Sequence, residues 1–69
     1  MADGELVCRL REARTEAGLT QLELAERVGV SRKTINTVEN GVFIPSTLLA
    51  LKLARALGKS VEDLFGLSD

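Results

Sequence analysis

The chain has 69 residues, 45% of them hydrophobic, with a net charge of −1, one cysteine and no histidine. This composition excludes an internal disulfide and argues against a structural zinc site, so we expect neither a metal nor a cofactor. The apolar runs are too short to cross a membrane, and no secretory signal opens the chain. We therefore expect one small cytoplasmic domain over residues 1–69 with no membrane partner.

A first helix is predicted over residues 5–17. The residues expected to face the core recur at helical spacing: Leu6, Leu10, Ala13 and Ala17. Gly18 follows them directly, in the position where a glycine commonly ends a helix.

Two shorter helices are predicted next, at about 21–28 and 32–40, with a tight turn between them. Thr20 has an acidic residue three positions later, which is the spacing of a capping box. Gly29 can adopt the left-handed conformation that ends the first of these helices, and Ser31 can cap the second. Such a pair forms a helix-turn-helix, whose second helix fits the DNA major groove, about 12 Å wide.

The remaining chain predicts helices at about 47–57 and 61–65, after an apolar loop over residues 41–45. No stretch shows the alternation typical of a strand, and five of the six glycines lie just past a predicted helix end. We therefore predict an all-α fold, a compact bundle of about five helices.

The order and spacing of several short motifs resemble the phage repressor and Cro family, also called the Xre-type helix-turn-helix regulators. The matching pieces are Leu10-Arg11-Glu12, Arg14, Leu19-Thr20-Gln21, Glu23-Leu24-Ala25, Val28-Gly29-Val30-Ser31, Thr34-Ile35, Glu39-Asn40-Gly41, Pro45-Ser46 and Val61-Glu62-Asp63-Leu64-Phe65. The resemblance runs through nearly the whole chain. It implies a lambda-repressor-like domain that binds double-stranded DNA.

Candidate DNA-binding side chains lie on and beside the second helix of the motif. Arg32 and Lys33 place two positive charges at the start of that helix, where the helix macrodipole disfavours them. We therefore expect them to bind a phosphate or a guanine. Thr37 follows Lys33 by one turn and can bond a base or pack on a thymine methyl group. The resemblance implies that Gln21 touches a phosphate and braces this helix, and that the corner at Asn40 approaches the DNA backbone. The full set is Gln21, Ser31, Arg32, Lys33, Thr34, Asn36, Thr37 and Asn40.

The chain departs from the resembling family just after this corner. That family often has a basic residue here, whereas this chain has Val42, Phe43 and Ile44. For Phe43 the sequence leaves three roles open, which are packing on a DNA sugar, on a partner subunit or on its own domain.

The resemblance also implies an ion pair between Arg14 in the first helix and Glu39 in the third. This pair would hold the third helix at its angle. The alternative is that the two residues are separate surface charges.

These features predict a sequence-specific transcription regulator and not an enzyme, because the chain has neither a histidine nor a phosphate-binding loop. We expect a repressor that binds a palindromic operator as a homodimer, with half-sites about 34 Å apart. The candidate dimer surface consists of apolar positions beyond the needs of the core: Leu48, Leu51, Val61, Leu67 and Phe43, with Ile44.

Two alternatives stay open. An antitoxin or accessory subunit would bind a protein partner through its apolar C-terminal half, which the low net charge and the apolar loop favour. A restriction–modification controller would share the fold and the mechanism, but it could activate as well as repress.

Overall fold

A computed structural model describes residues 5–68 of the chain. Its elements, in order, are β1 (Glu5–Cys8), α1 (Leu10–Glu16), α2 (Gln21–Val28), α3 (Arg32–Glu39), α4 (Thr47–Leu57), α5 (Val61–Leu64) and β2 (Phe65–Ser68). The described helices include none that is long and apolar enough to cross a membrane. The helices α2 and α4 have the bounds that the sequence predicts, whereas α3 and α5 each end one residue earlier, at Glu39 and Leu64.

The five predicted helices are present in residues 5–68, but the prediction of an all-α fold is wrong at both ends of this range. β1 and β2 pair as an antiparallel two-stranded sheet, with Leu6 opposite Leu67 and Cys8 opposite Phe65. The predicted first helix therefore begins five residues later, at Leu10. A strand of four residues is too short to show a clear period of two, and its partner lies at the far end of the sequence.

Three residues have an environment that differs from the one predicted. Leu6 is exposed rather than part of the core, because it belongs to β1 and not to a core-facing helix. Ala17 is also exposed, since α1 ends at Glu16. Gly66, predicted to follow a helix, lies within β2 instead.

The side chain of Arg9 ties the start of α1 to the end of α5. Its Nε donates to the Asp63 carbonyl oxygen at 3.2 Å and its Nη2 to the Glu62 carbonyl oxygen at 2.8 Å. The guanidinium passes so close to Gly66 that an added Cβ there would lie 3.0 Å from Nη2. The absence of a side chain at Gly66 therefore makes room for this contact.

The core between the helices is almost entirely aliphatic. Its residues are Leu10, Ala13, Leu24, Ala25, Val28, Ile35, Val38, Leu49, Leu53, Ala54, Leu64 and Phe65. Ala25 is 1% exposed, and its small side chain lets α2 and α3 pack closely. Of the five helices within residues 5–68, four begin with a Ser or Thr side chain that accepts a backbone N–H bond. Such a cap typically contributes about 1 kcal/mol.

Candidate nucleic-acid interface

The helix α3 is anchored to the core along one side and exposed along the other. Ile35 and Val38 are fully buried on the anchored side. The helix begins at a fixed point, because the Ser31 hydroxyl oxygen accepts the Thr34 backbone N–H at 3.2 Å. Residues at spacings of three and four share one side of a helix, so the outward side is formed by Lys33, Asn36, Thr37 and Asn40.

A buried carboxylate, that of Glu39, joins α3 to both preceding helices. Its side chain is 0% exposed, and it accepts from Arg14 Nε at 2.6 Å; the Arg14 side chain is itself only 13% exposed. Arg11 Nε and Gln21 Nε2 donate to the other oxygen at 3.3 and 3.0 Å. The ion pair expected between Arg14 and Glu39 is therefore present, within a larger cluster.

The protonation state of Glu39 follows from this cluster. Burial of the carboxylate acts to raise the pKa of Glu39, but the hydrogen bonds from Arg14, Gln21 and Arg11 and the charge of Arg14 outweigh it. The pKa of Glu39 therefore lies below its ordinary value, and the carboxylate is ionised at neutral pH. An ionised hub with donors from α1 and α2 holds α3 in one orientation.

Gln21 extends the hub towards the exposed side of α3. Its Nε2 also donates to Asn36 Oδ1 at 3.2 Å, while its Oε1 accepts from Arg32 Nη1 at 3.2 Å. Asn40 Nδ2 donates to the same Asn36 oxygen at 3.3 Å. The structure thus brings four of the predicted site residues, Gln21, Arg32, Asn36 and Asn40, into one polar network.

Arg11 also belongs to this network, although it is not among the site residues predicted from the sequence. Its Nη2 donates to Asn40 Oδ1 at 2.7 Å, in addition to the bond to Glu39. The signal in the sequence was the three-residue spacing between Arg11 and Arg14, which places two guanidinium groups on one side of α1.

The other four predicted residues line a separate open cleft of about 340 Å³ beside α3, together with two apolar residues of the following loop. The lining residues are Ser31, Lys33, Thr34, Thr37, Val42 and Phe43. Lys33 is exposed and, within residues 5–68, takes part in no hydrogen bond or ion pair. Its charge is therefore available to an external anion or base.

The candidate dimer residues divide between two places. Leu51 and Val61 line an apolar groove with Leu6 and Ile44, and Leu67 stands directly opposite Leu6 in the strand pair. Leu48 is exposed one turn before Leu51 on α4. Phe43 instead belongs to the cleft beside α3.

Two crossing helices joined by a short turn, with polar side chains on the outward side of the second, define a helix-turn-helix DNA-binding domain. The model of the family described as Helix-turn-helix matches residues 10–64. The chain belongs to this helix-turn-helix family, of the Xre/Cro-like type, and the family predicted from the sequence is confirmed.

Similar proteins carry names consistent with this class. An uncharacterized HTH-type transcriptional regulator from Methanothermobacter thermautotrophicus is 56% identical over 61 residues, or 87% of this chain and 88% of that protein. The restriction-modification controller protein C.AhdI from Aeromonas hydrophila is 42% identical with a TM-score of 0.76, over 80% of this chain and 83% of that one. The P22 c2 repressor, solved with a synthetic operator, is 31% identical with a TM-score of 0.75, over 78% of this chain and 82% of that one.

Proposed function

We propose that this protein is a sequence-specific transcription regulator that inserts α3 into the DNA major groove. The observation that carries the proposal is the outward side of α3. It presents Lys33, which has no hydrogen-bond or ion-pair partner within residues 5–68, beside Asn36, Thr37 and Asn40. The buried Glu39 carboxylate holds the orientation of this helix. Lysine can donate to guanine O6 and N7, and asparagine can pair with adenine, so this surface has the groups that read base edges.

The backbone contacts in this proposal come from the edges of the same surface. Gln21 and Arg32 lie at the start of α2 and α3, where backbone N–H groups and side chains can bind phosphate together. Asn40 would approach the backbone from the other end of α3. Phosphate contacts of this kind fix the position of the helix, while the base contacts select the sequence.

The proposal includes a homodimer, because one domain of this size offers few base contacts and pairing two of them multiplies affinity and site length. The apolar groove that includes Leu51 and Val61, with exposed Leu48 and Leu67 beside it, supports a two-fold contact on that face. Such a dimer would read two half-sites about 34 Å apart on a palindromic operator.

We assign the protein the role of a repressor, which would act by occupying its operator. The structural likeness to the P22 c2 repressor supports this assignment. The likeness to the controller C.AhdI supports the related possibility of activation as well as repression. Transcription of a reporter placed behind the selected operator, with and without the protein, distinguishes the two.

The decisive experiment is selection of bound duplexes from a random DNA pool, followed by binding of the selected duplex to wild type and to Lys33→Ala at two salt concentrations. A palindromic consensus is expected, with preference relaxed at one symmetric position in the variant. The net charge of −1 predicts a shallow dependence of affinity on salt, because few phosphates are neutralised. A pool that yields no consensus contradicts the proposal.

A second candidate function is that of an antitoxin or accessory subunit, which binds another protein. The exposed apolar face and the low net charge favour it. In that case duplex selection yields no consensus sequence, and any binding to DNA is weak.

A further inference from the structure

The loop after α3 folds back so that two apolar side chains stand beside the outward side of that helix. Gly41 has a φ of 74°, a left-handed conformation that favours glycine, and it reverses the chain at the end of α3. The backbone N–H groups of Val42 and Phe43 then both donate to the Thr37 carbonyl oxygen, at 2.9 and 3.2 Å. The loop is therefore bonded to α3 at Thr37, one of the proposed base-reading positions.

The side chains of this loop remain exposed although the core lies nearby. Val42 is 78% exposed and Phe43 is 47% exposed, and both line the cleft beside Thr34, Thr37 and Lys33. Apolar side chains in a cleft next to a base-reading helix add nothing to the packing of the core. Their apolar surface is therefore available to a partner outside the chain.

The threonines of the cleft have their hydroxyl groups occupied. The Thr37 hydroxyl donates to the Thr34 carbonyl oxygen at 3.0 Å, and the Thr34 hydroxyl is bonded to the Ser31 hydroxyl at 3.0 Å. Thr37 therefore has no free proton to donate to a base. The surface of the cleft is therefore mainly apolar, and within residues 5–68 Lys33 is its one charged lining residue.

Resting on the proposed function, we infer that this cleft receives the 5-methyl group of a thymine, with Val42, Phe43 and Thr37 forming its walls. Thymine is the one standard base that presents an apolar group in the major groove. Lys33 supplies the charge complementarity, since it lies beside the same cleft and can reach a phosphate or a neighbouring guanine. The loop thus selects thymine at one position of each half-site.

The test uses the operator obtained by selection and replaces its thymines by uracil one symmetric pair at a time. Uracil keeps every hydrogen-bonding group of thymine and lacks only the methyl group. At one position, loss of the buried methyl group should weaken binding of the uracil duplex about fourfold per half-site, hence about 16-fold for the symmetric pair. Fluorescence anisotropy measures the two dissociation constants.

The variants Val42→Ala and Phe43→Ala identify the residues that make the contact. Both sites are exposed, so truncation is expected to leave the fold intact, which thermal unfolding checks. In each variant the ratio of the dissociation constants for the uracil and thymine duplexes should fall towards one. Leu22→Ala, at an exposed apolar residue outside the cleft, serves as the matched control and should keep the full ratio.

The outcomes separate this inference from the proposed function. A consensus operator that wild type binds equally well with thymine or uracil at every position overturns the methyl contact and leaves the DNA-binding function intact. A uracil penalty that persists unchanged in both loop variants overturns the assignment of the cleft. The absence of any consensus overturns the proposed function, and the methyl contact with it.

Discussion

Arg14 Nε and Glu39 Oε2 lie 2.6 Å apart, and the Glu39 side chain has no exposed surface. This pair connects α1 to the end of α3, while Gln21 and Arg11 complete the bonds of the same carboxylate. The angle of the helix proposed to read DNA is therefore set by an ionic hub behind it, as well as by the apolar contacts of Ile35 and Val38.

The substitution Glu39→Gln is expected to lower the free energy of unfolding by about 3 kcal/mol, since it leaves a largely buried guanidinium without its counterion. Urea denaturation followed by circular dichroism measures this change. The control is Lys59→Ala, which breaks an exposed ion pair with Glu16 at 3.8 Å and should change the free energy by less than about 1 kcal/mol. Equal effects of the two substitutions would contradict a special role for the hub.

The stability of the protein should fall in acid in a way that depends on Glu39. Because the folded-state pKa of Glu39 lies below its ordinary value of 4.5, the ionised carboxylate stabilises the fold above that pH. This contribution is lost as the pH falls through the folded-state pKa. Urea denaturation between about pH 6 and pH 3 should show the decline in wild type and a smaller decline in Glu39→Gln.

The stability of Glu39→Gln should still decline in acid, because two other carboxylates have lowered pKa values. The pKa values of Glu23 and Asp63 are also lowered, by bonds from the backbone and the hydroxyl groups of Thr20 and Ser60 in the two capping boxes. If the variant and wild type lose stability in parallel across this pH range, the assignment to Glu39 is wrong.

Replacement of Gln21 by leucine should affect both the fold and DNA binding. The change removes the bonds to Arg32, Asn36 and Glu39, and the lost bond to a charged group predicts a destabilisation of about 1.5–3 kcal/mol. Operator affinity should fall as well, because Arg32 loses the amide that orients it. Unchanged affinity in a folded variant would limit Gln21 to a structural role.

The close approach of Arg9 to Gly66 predicts coupling between these positions. In Gly66→Ala the new Cβ would lie 3.0 Å from Arg9 Nη2, so the guanidinium must shift and its bonds to the Glu62 and Asp63 carbonyl oxygens weaken. We expect Gly66→Ala to lower the free energy of unfolding by about 1 kcal/mol in the wild-type background and by less in an Arg9→Ala background. A double-mutant cycle measured by urea denaturation gives the coupling, and additive losses would argue against it.

The proposed dimer predicts a specific effect of charge in the apolar groove. Leu51→Asp should weaken self-association at least about tenfold, because a carboxylate would be desolvated in the contact. Sedimentation velocity across a concentration series measures this change. Leu22→Asp introduces the same charge at an exposed leucine outside the groove and should leave association unchanged. A wild-type protein that stays monomeric with and without DNA contradicts the proposed dimer.

Much of the fold could be predicted because its signals are local. The first residues of α2, α3 and α4 follow from the caps at Thr20, Ser31 and Ser46, and their buried sides follow from the apolar spacing within each helix. The strand pair could not be predicted in this way, since Leu6 meets Leu67 across almost the full length of the sequence. Short-range periodicity contains no information on such a partner.

The same distinction applies to the candidate site. The sequence placed the polar residues on α3, but it could not show that Gln21 bonds with Asn36 while Thr37 lies in a different cleft with Phe43. That division depends on the path of the loop after Gly41 and on the position of α1. Both are tertiary features that one helix does not determine.

The pairing of β1 with β2 has a consequence for the energetics of association. Closing a loop of this length is entropically costly, so the two strands should join after the helical core during folding and should open before it in hydrogen exchange. Leu6 of β1 and Phe65 of β2 both line the apolar groove, so the groove is complete only when the strands are joined. A partner seated in the groove therefore stabilises the strand pair by mass action, and protection of the strand amides should rise with the concentration of that partner.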